Sequence, residues 1–484
     1  MVGKRAMPDL NALFLTVGNY CRREVITCST SDRLTDAAAT MQNRNISSLV
    51  VCSGGNPIGI LTDRDLRNKV VAQGIDPGTL SVADVMNSPV ITISEDDYLF
   101  EALHLISRHR IHRLVVTGPV GELAGIITDS DILRVQTLSP QQLIREIEEA
   151  PTVDDLKGLH QRVQGLVQHL IGTGVHIRDL VRLIAHLNDR VVIRLIDLLR
   201  AGRFAGLTVQ CSFLVLGSEG RGEQTLTTDQ DNALVYADDL AAVEVHQLEE
   251  FSRVLIDSLI DIGVPSCPGG TMAKNEQWRR SLSQWHSVLD RWFSTPTPEH
   301  IINLSMFSDL RILSGDPLLE LALKKYINGR LQGNEIYLGH MVANLLRFAV
   351  PLGWFGKIKT EKGEHAGQID LKRAGIFTIT EGAKILALAH GVQETGTAQR
   401  IERLSEQGVL AQKEADDLTA SFYALVHFRL RTQVDAMSAG RQPDNRIRLT
   451  ELNRMELERL KAALEGVRSF QGDMGRRYRL GQTM

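Results

Sequence analysis

The sequence predicts an α/β multidomain chain: a tandem βαββα pair, a helical connector, a second α/β domain and a C-terminal helical bundle. Three observations predict it. A stretch near the N-terminus returns about 65 residues further on. In the middle, an apolar run ends in Gly217-Ser218, and a second apolar run follows behind two aspartates. From residue 331 onward the apolar residues step by three and four, the period of helices that bury one face. At 484 residues the chain exceeds a single ordinary core, so several domains are expected.

Composition narrows the class. The chain is 43% hydrophobic and 23% charged, with a net charge of −4 and no long basic tract, which argues against a nucleic-acid partner. Its five cysteines, Cys21, Cys28, Cys52, Cys211 and Cys267, are odd in number and form no C-x-x-C, so neither a disulfide framework nor a structural zinc site is expected. That usage points to a reducing, cytoplasmic setting. No apolar run is long enough to span a bilayer, and the first residues lack the apolar core and cleavage site of a secretion signal. No membrane partner is therefore expected.

After an extension over 1–19, "ISSLVVCSGGNPIGILTDRDL" (46–66) returns as "IHRLVVTGPVGELAGIITDSDI" (111–132). Each copy reads as a short strand, a periodic helix (Leu34 to Met41; Leu99 to Ile106), two β-rich runs about a Gly-containing turn, and a second helix opening at T-D-x-D. The copies span about 20–75 and 81–137. The unit resembles a tandem pair of CBS domains. The resemblance implies that Thr62 and Asp65, and likewise Thr128 and Asp131, hold ribose hydroxyls of a regulatory adenine nucleotide. A carboxylate accepts two hydroxyl bonds, and the helix start behind it offers amides to phosphate. The competing reading is that both aspartates only cap their helices.

Residues 138–207 read as a helical connector. Leu156, Leu159, Val163, Leu166 and Leu170 keep helical spacing, as do Ile177, Leu180, Ile184, Leu187, Val191 and Leu195 after a break at Gly172-Thr173-Gly174. Two arrangements fit: a helical pair that makes a homodimer, or a hairpin packed on the next domain.

The domain over 208–330 holds the most specific stretch, "LVLGSEGRGEQTLTTDQDNALVYA" (214–237). "FLVLGS" reads as a buried strand, and "DNALVYA" as a second one. Residues i and i+2 of a strand share a face, so Asp229 and Asp231 project together. Two carboxylates on one face suit Mg²⁺ or Mn²⁺. Gly217 lets backbone approach a ligand, Ser218 offers amide and hydroxyl to phosphate, and Arg221 is a candidate clamp on a triphosphate. The pattern G-S-x-G-R-x-E-x-x-x-x-T-D-x-D resembles the nucleotidyltransferase domain of the PII-protein uridylyltransferase and its CBS-linked relatives, within the DNA polymerase β-like superfamily.

That resemblance implies a third carboxylate on a later strand. Asp309, in the D-L-R that ends the run "IINLSMFSDLR", takes the role, against the alternative of a capping or Arg311-paired residue. It also implies two-metal transfer of a nucleoside monophosphate from an NTP to a hydroxyl of a protein or small molecule. Asp229, Asp231 and Asp309 would act as catalytic metal ligands, and Lys274 and Asn275 of "CPGGTMAKN" would contact the NTP.

Residues 331–484 resemble the helical, substrate-binding partner domain of the same relatives. Lys372 and Arg373 there face either a phosphate or solvent. The chain contains no His-Asp dipeptide, so it lacks the hydrolase motif with which the uridylyltransferase removes its own modification. The expected protein is a nucleotide-regulated signalling enzyme. The alternative is a non-catalytic nucleotide sensor on a nucleotidyltransferase-like scaffold.

Overall fold

The structure, a computed structural model, describes residues 15–132, 140–171, 175–226, 229–353 and 356–478. The chain divides into two compact units, 1–143 and 144–484.

The first unit is the repeat, built as two three-stranded sheets. Strand β1 (Thr27–Cys28) runs parallel to β2 (Ser48–Ser53), which pairs antiparallel with β3 (Asn56–Thr62). Strands β4 (Thr92–Ser94), β5 (Arg113–Thr117) and β6 (Leu123–Thr128) repeat that order and those directions. Even the bulge recurs, at Val51/Cys52 and at Val116/Thr117. Helices α1 (Leu34–Asn43) and α2 (Leu99–His109) close a core each. Leu34, Ala37, Met41, Leu49 and Val51 fill one; Leu99, Ala102, Ile106, Leu114 and Val116 fill the other. The alternation of buried and exposed positions in the sequence is thus spent twice, on two small cores of matching layout.

The second unit begins with a helical hairpin, α3 (Val153–Ile171) and α4 (Ile177–Ala201). The glycines expected to break it, at 172 and 174, lie outside the described residues. The hairpin packs on the domain that follows: α3 lies against α6 (Ala242–Ile262), and α4 against β10 (Arg311–Gly315). The packed alternative for the connector is therefore the one the fold adopts.

The central sheet has the order β10-β7-β8-β9. Strands β7 (Cys211–Val215) and β8 (Asn232–Tyr236) are antiparallel and buried throughout, as their unbroken apolar runs require. Strand β9 (Arg279–Ser281) runs parallel to β8. A short helical turn, α5 (Gly217–Gly220), follows β7. Helices α7 (Leu282–Ser294) and α9 (Pro317–Leu331) pack on the sheet, and α8 (Pro298–Phe307) and α10 (Glu335–Leu346) pack on those helices. Trp278, Trp285, Trp292 and Phe307 stack beneath it.

Two expectations change here. The run before Asp309 is helix α8, not a strand: Thr297 caps it, Pro298 occupies its first turn, and Ile301, Leu304 and Phe307 line its buried face. Asp229 and Asp231 precede β8 rather than open it, although Gln230 makes a parallel bridge to Ser266 that keeps the segment extended.

The C-terminal residues form α11 (Phe377–Ala389), α12 (Thr397–Glu406), α13 (Gln412–Ser438) and α14 (Arg454–Arg477), with a two-stranded ribbon, β11 (Gln368–Asp370) and β12 (Arg446–Arg448). One apolar core runs from Leu214 and Ala233 of the sheet through Leu338 to Ile385 and Phe428 of these helices. The sheet and the C-terminal helices are accordingly one packed body, which brings loops of both to the same cleft.

Candidate active site

The site starts where β7 runs out. Gly217 turns the chain with φ +51°, and the Leu216 amide donates to the Asp231 carbonyl at 2.8 Å. A Cβ on Gly217 would stand 3.1 Å from Asp231 Oδ2, so the glycine makes room for that carboxylate. Asp231 is half-buried and Asp229 exposed, and neither forms an ion pair among the described residues. Burial raises the Asp231 carboxyl above its usual range, and the Asp229 charge pushes the same way. A bond from the Cys267 thiol, and the Lys372 ammonium, pull it back.

Of the three further groups around this pair, the sequence offers Lys372, at a phosphate or in solvent, and leaves Glu219 and Arg429 unassigned. Glu219 is buried, and burial, followed by the charges of Asp231 and Asp189, pushes its carboxyl well up, which favours the neutral acid. Gln224 Nε2 donates to it at 2.9 Å. From the C-terminal helices come Lys372 and Arg429. Lys372 stays solvent-accessible, yet the protein around its ammonium, and then the Arg429 guanidinium, lower its pKa; Asp231 and Asp229 act in the opposite direction. Arg429, nearly enclosed and bonded to Asn445 Oδ1 at 2.6 Å, is lowered to about 10 by burial against the opposing pull of Asp370 and Asp229. Arg429 had a signal in the sequence: it sits on the apolar stripe Phe422, Leu425, Val426 of α13, where a cation has no place without an electrostatic reason.

Asp309 has a different environment. It is 0% exposed and bonded to Arg221 Nη1 at 2.6 Å, Lys384 Nζ at 2.8 Å and Arg400 Nη1 at 2.8 Å. Burial alone would raise its pKa, but Lys384, Arg221 and Arg400 overcome that and hold it at about 2. Gly220 abuts the same residue: a Cβ there would lie 2.0 Å from the Asp309 carbonyl oxygen. Glu223 takes the other side of Arg221 at 2.8 Å and caps α12 through the Thr397 amide and hydroxyl. The structure thus does not bring Asp309 to Asp229 and Asp231 as a free ligand. The position parallel to β8 is occupied by Arg279, Arg280 and Ser281 of β9. Among the described residues, no group of three or more His, Cys, Asp or Glu is placed to hold a metal.

In the first unit, the Thr62 hydroxyl and amide bond the Asp65 carboxylate, which closes a capping box. The other Asp65 oxygen accepts from Asn87 Nδ2 at 2.8 Å and stands 3.5 Å from the Lys69 ammonium. A cavity of about 350 Å³ opens beside them, lined by Thr62, Asp65, Asn87, Arg110, His112 and Arg113. The second copy repeats the Thr128–Asp131 pair, but the position matching Asn87 is Arg22 of the first copy, whose guanidinium reaches Asp131 Oδ1 at 3.3 Å.

Three family models match this chain. Residues 161–299 match "Putative nucleotidyltransferase DUF294", residues 335–478 match "Putative nucleotidyltransferase substrate binding domain", and residues 17–72 and 82–137 match the CBS domain. The chain carries a CBS pair, a DUF294 domain and the C-terminal domain that goes with it. An uncharacterized protein, MK0525, of Methanopyrus kandleri is 40% identical over 136 residues, which cover 28% of this chain and 67% of that protein. Inosine-5'-monophosphate dehydrogenase of Korarchaeum cryptofilum is 34% identical over 114 residues, 24% of this chain and 23% of the enzyme. The chain thus spans two thirds of the first relative's length and under a quarter of the second's. A CBS domain protein from Pyrobaculum aerophilum, solved in complex with AMP, is 21% identical over 26% of this chain and all of that one, at a TM-score of 0.24.

Within the DUF294 domain, two residues expected at the NTP are engaged elsewhere. Lys274 Nζ pairs with Asp257 of α6 at 3.1 Å, and Asn275 Nδ2 donates to the Gly270 carbonyl at 2.6 Å. Arg221 is committed to Asp309 and Glu223. Gly217, Asp229 and Asp231 remain at the cleft, joined by Lys372. No helix among the described residues is long and apolar enough to cross a membrane.

Proposed function

We propose that the DUF294 domain transfers a nucleoside monophosphate from an NTP to a hydroxyl of a protein or small molecule, under control of the CBS pair. One observation carries this: two neighbouring carboxylates at the end of a buried sheet, without an ion-pair partner among the described residues, faced by Lys372 and Arg429. Like charges left unpaired at a cleft are costly unless a ligand compensates them.

The donor set fits one Mg²⁺ or Mn²⁺ ion, since Mg²⁺ is commonly held by one or two carboxylates with phosphate and water completing its shell. Asp229 and Asp231 would hold it, and it would neutralise charge on the triphosphate. Asp309 is bound to three cations, so we propose a single-ion site in place of the two-metal one. Lys372 and Arg429 stabilise the phosphate charge that grows as the acceptor oxygen bonds the α-phosphorus and pyrophosphate leaves. Gly217 and Ser218 bring backbone close to the same place. Resemblance to the PII uridylyltransferase supports transfer to a macromolecular hydroxyl. The test is incubation of the full chain with Mg²⁺ and each α-labelled NTP, with and without cell extract. Label transfer that vanishes in Asp229→Asn/Asp231→Asn is the expected result.

A second reading, a nucleotide sensor without catalysis, is favoured by the absence of a third carboxylate beside Asp229 and Asp231 among the described residues. Saturable NTP binding without label transfer to any acceptor would select it.

For the CBS pair we propose one open adenine-nucleotide site. Thr62 and Asp65 would hold ribose, with Arg110 available to phosphate in the same cavity; Arg113 Nη1 is bonded to the Ser47 and Ser48 hydroxyls. At Thr128 and Asp131 the Arg22 guanidinium competes for the carboxylate.

A further inference from the structure

We propose that the second unit carries an anion pocket distinct from the Asp229/Asp231 site and suited to a small organic phosphate. The cavity, about 300 Å³, opens between α4, the turn after α5, and helices α12 and α13; Arg178, Arg182, Arg221, Gln399 and Tyr423 are on its wall, and Asp229 and Asp231 are not.

Its charge is unbalanced. Both acids of the lining are already used. Asp189 takes two guanidinium nitrogens of Arg311, at 2.9 and 3.0 Å. Glu223 takes Arg221 and the start of α12. Arg178 and Arg182 have neither an ion pair nor a hydrogen bond among the described residues, although they stand one turn apart on α4, a spacing at which like charges repel. Other arginines of the same helix are satisfied: Arg190 pairs with Glu148, and Arg194 donates to the Ala150 carbonyl.

Two guanidinium forks facing one concavity match a tetrahedral oxyanion, each fork presenting paired N–H groups. The neighbouring wall is apolar, from Val181, Ala185 and Phe422. A cavity near the lower end of small-molecule sites, which begin at about 300 Å³, has room for more than one phosphate group. The ligand class is therefore a phosphate monoester with a compact apolar body. This inference does not rest on nucleotidyl transfer; Arg221, on the pocket wall, is committed to Asp309 and Glu223.

The experiment is isothermal titration of the full chain, in EDTA, with inorganic phosphate and with phenyl phosphate. Saturable binding is expected for both, tighter for phenyl phosphate. Arg178→Gln with Arg182→Gln should weaken it about tenfold or more, as the loss of charge-assisted bonds implies. Arg178→Lys with Arg182→Lys should lose less, because charge survives where the fork does not. Asp229→Asn/Asp231→Asn should leave the affinity unchanged, which separates this pocket from the proposed transfer site. The substituted arginines are exposed, and circular dichroism checks that the fold is kept. Absence of saturable binding at millimolar ligand, affinity indifferent to the Gln pair, or affinity lost in the Asp229/Asp231 variant would each overturn the proposal.

Discussion

Asp309 and the pair Asp229/Asp231 belong to the same packed unit and meet opposite treatment. Asp309 is entirely buried and bonded to three cations. Asp229 and Asp231 repel one another at a cleft with no direct ion pair among the described residues. The difference divides one motif into two halves. Gly217 makes room for Asp231 next to Asp229, whereas Gly220, Arg221 and Glu223 build the Asp309 hub and cap α12. A buried acid that is fully compensated is architecture; acids left uncompensated at a cleft are where a ligand belongs.

The comparison breaks most readily at the cleft. Asp229→Asn with Asp231→Asn should lower nucleotidyl transfer by about 10³-fold or more, the scale of removing preorganised charge from a site. Urea midpoints should hold or rise, because two repelling charges are gone. Transfer at the wild-type rate would refute the assignment.

Asp309→Asn should do the reverse. Removing one partner from a buried ion-pair cluster costs about 3–5 kcal/mol, while specific activity of the folded fraction should persist. The two variants can be compared in parallel urea titrations and label-transfer assays. A stable Asp309→Asn protein without activity would return Asp309 to the chemistry. Acidity sharpens the point. The Asp309 pKa is about 2 in the folded chain against 3.8 as a free side chain, so its contribution is present above about pH 4 and is lost as pH falls toward 2. The stability gap between wild type and Asp309→Asn should therefore narrow through that window.

The CBS copies give a milder contrast. AMP at one hundred times its Kd should stabilise the wild-type unfolding transition of the first unit by about 2.7 kcal/mol. Asp65→Ala should remove most of that gain and Asp131→Ala little, measured in the Asp229→Asn/Asp231→Asn background so that the transfer site does not contribute. Equal losses from the two substitutions would mean that Arg22 yields to ligand.

The smallest effect concerns Lys372. Lys372→Met should reduce transfer about tenfold, equal to about 1.4 kcal/mol. Because Lys372 holds the Asp231 pKa down, its removal should also move the acid limb of the pH–rate profile to higher pH. An unmoved limb would show that Lys372 and Asp231 do not interact in the working site.

The sequence by itself determined the duplicated βαββα unit, because a 65-residue repeat of apolar spacing admits two cores of matching layout. It determined the buried strands on both sides of the Gly-rich stretch and the run of C-terminal helices, since each is local periodicity. It placed Gly217 and the two aspartates at the adjacent ends of two buried strands, because they flank the Gly-rich stretch that joins those strands. It did not separate helix from strand before Asp309, where Ile301, Leu304 and Phe307 form a short apolar run compatible with both and only the Thr297-Pro298 cap argues for helix. Nor did it say which acids are paired. Arg221 meets Asp309 across 88 residues, Arg400 meets it across 91, and Lys372 and Arg429 reach the cleft from helices far along the chain. Those partners are chosen by how the C-terminal helices pack on the sheet, and a carboxylate's role follows from the charges packing brings to it, not from its spacing along the chain.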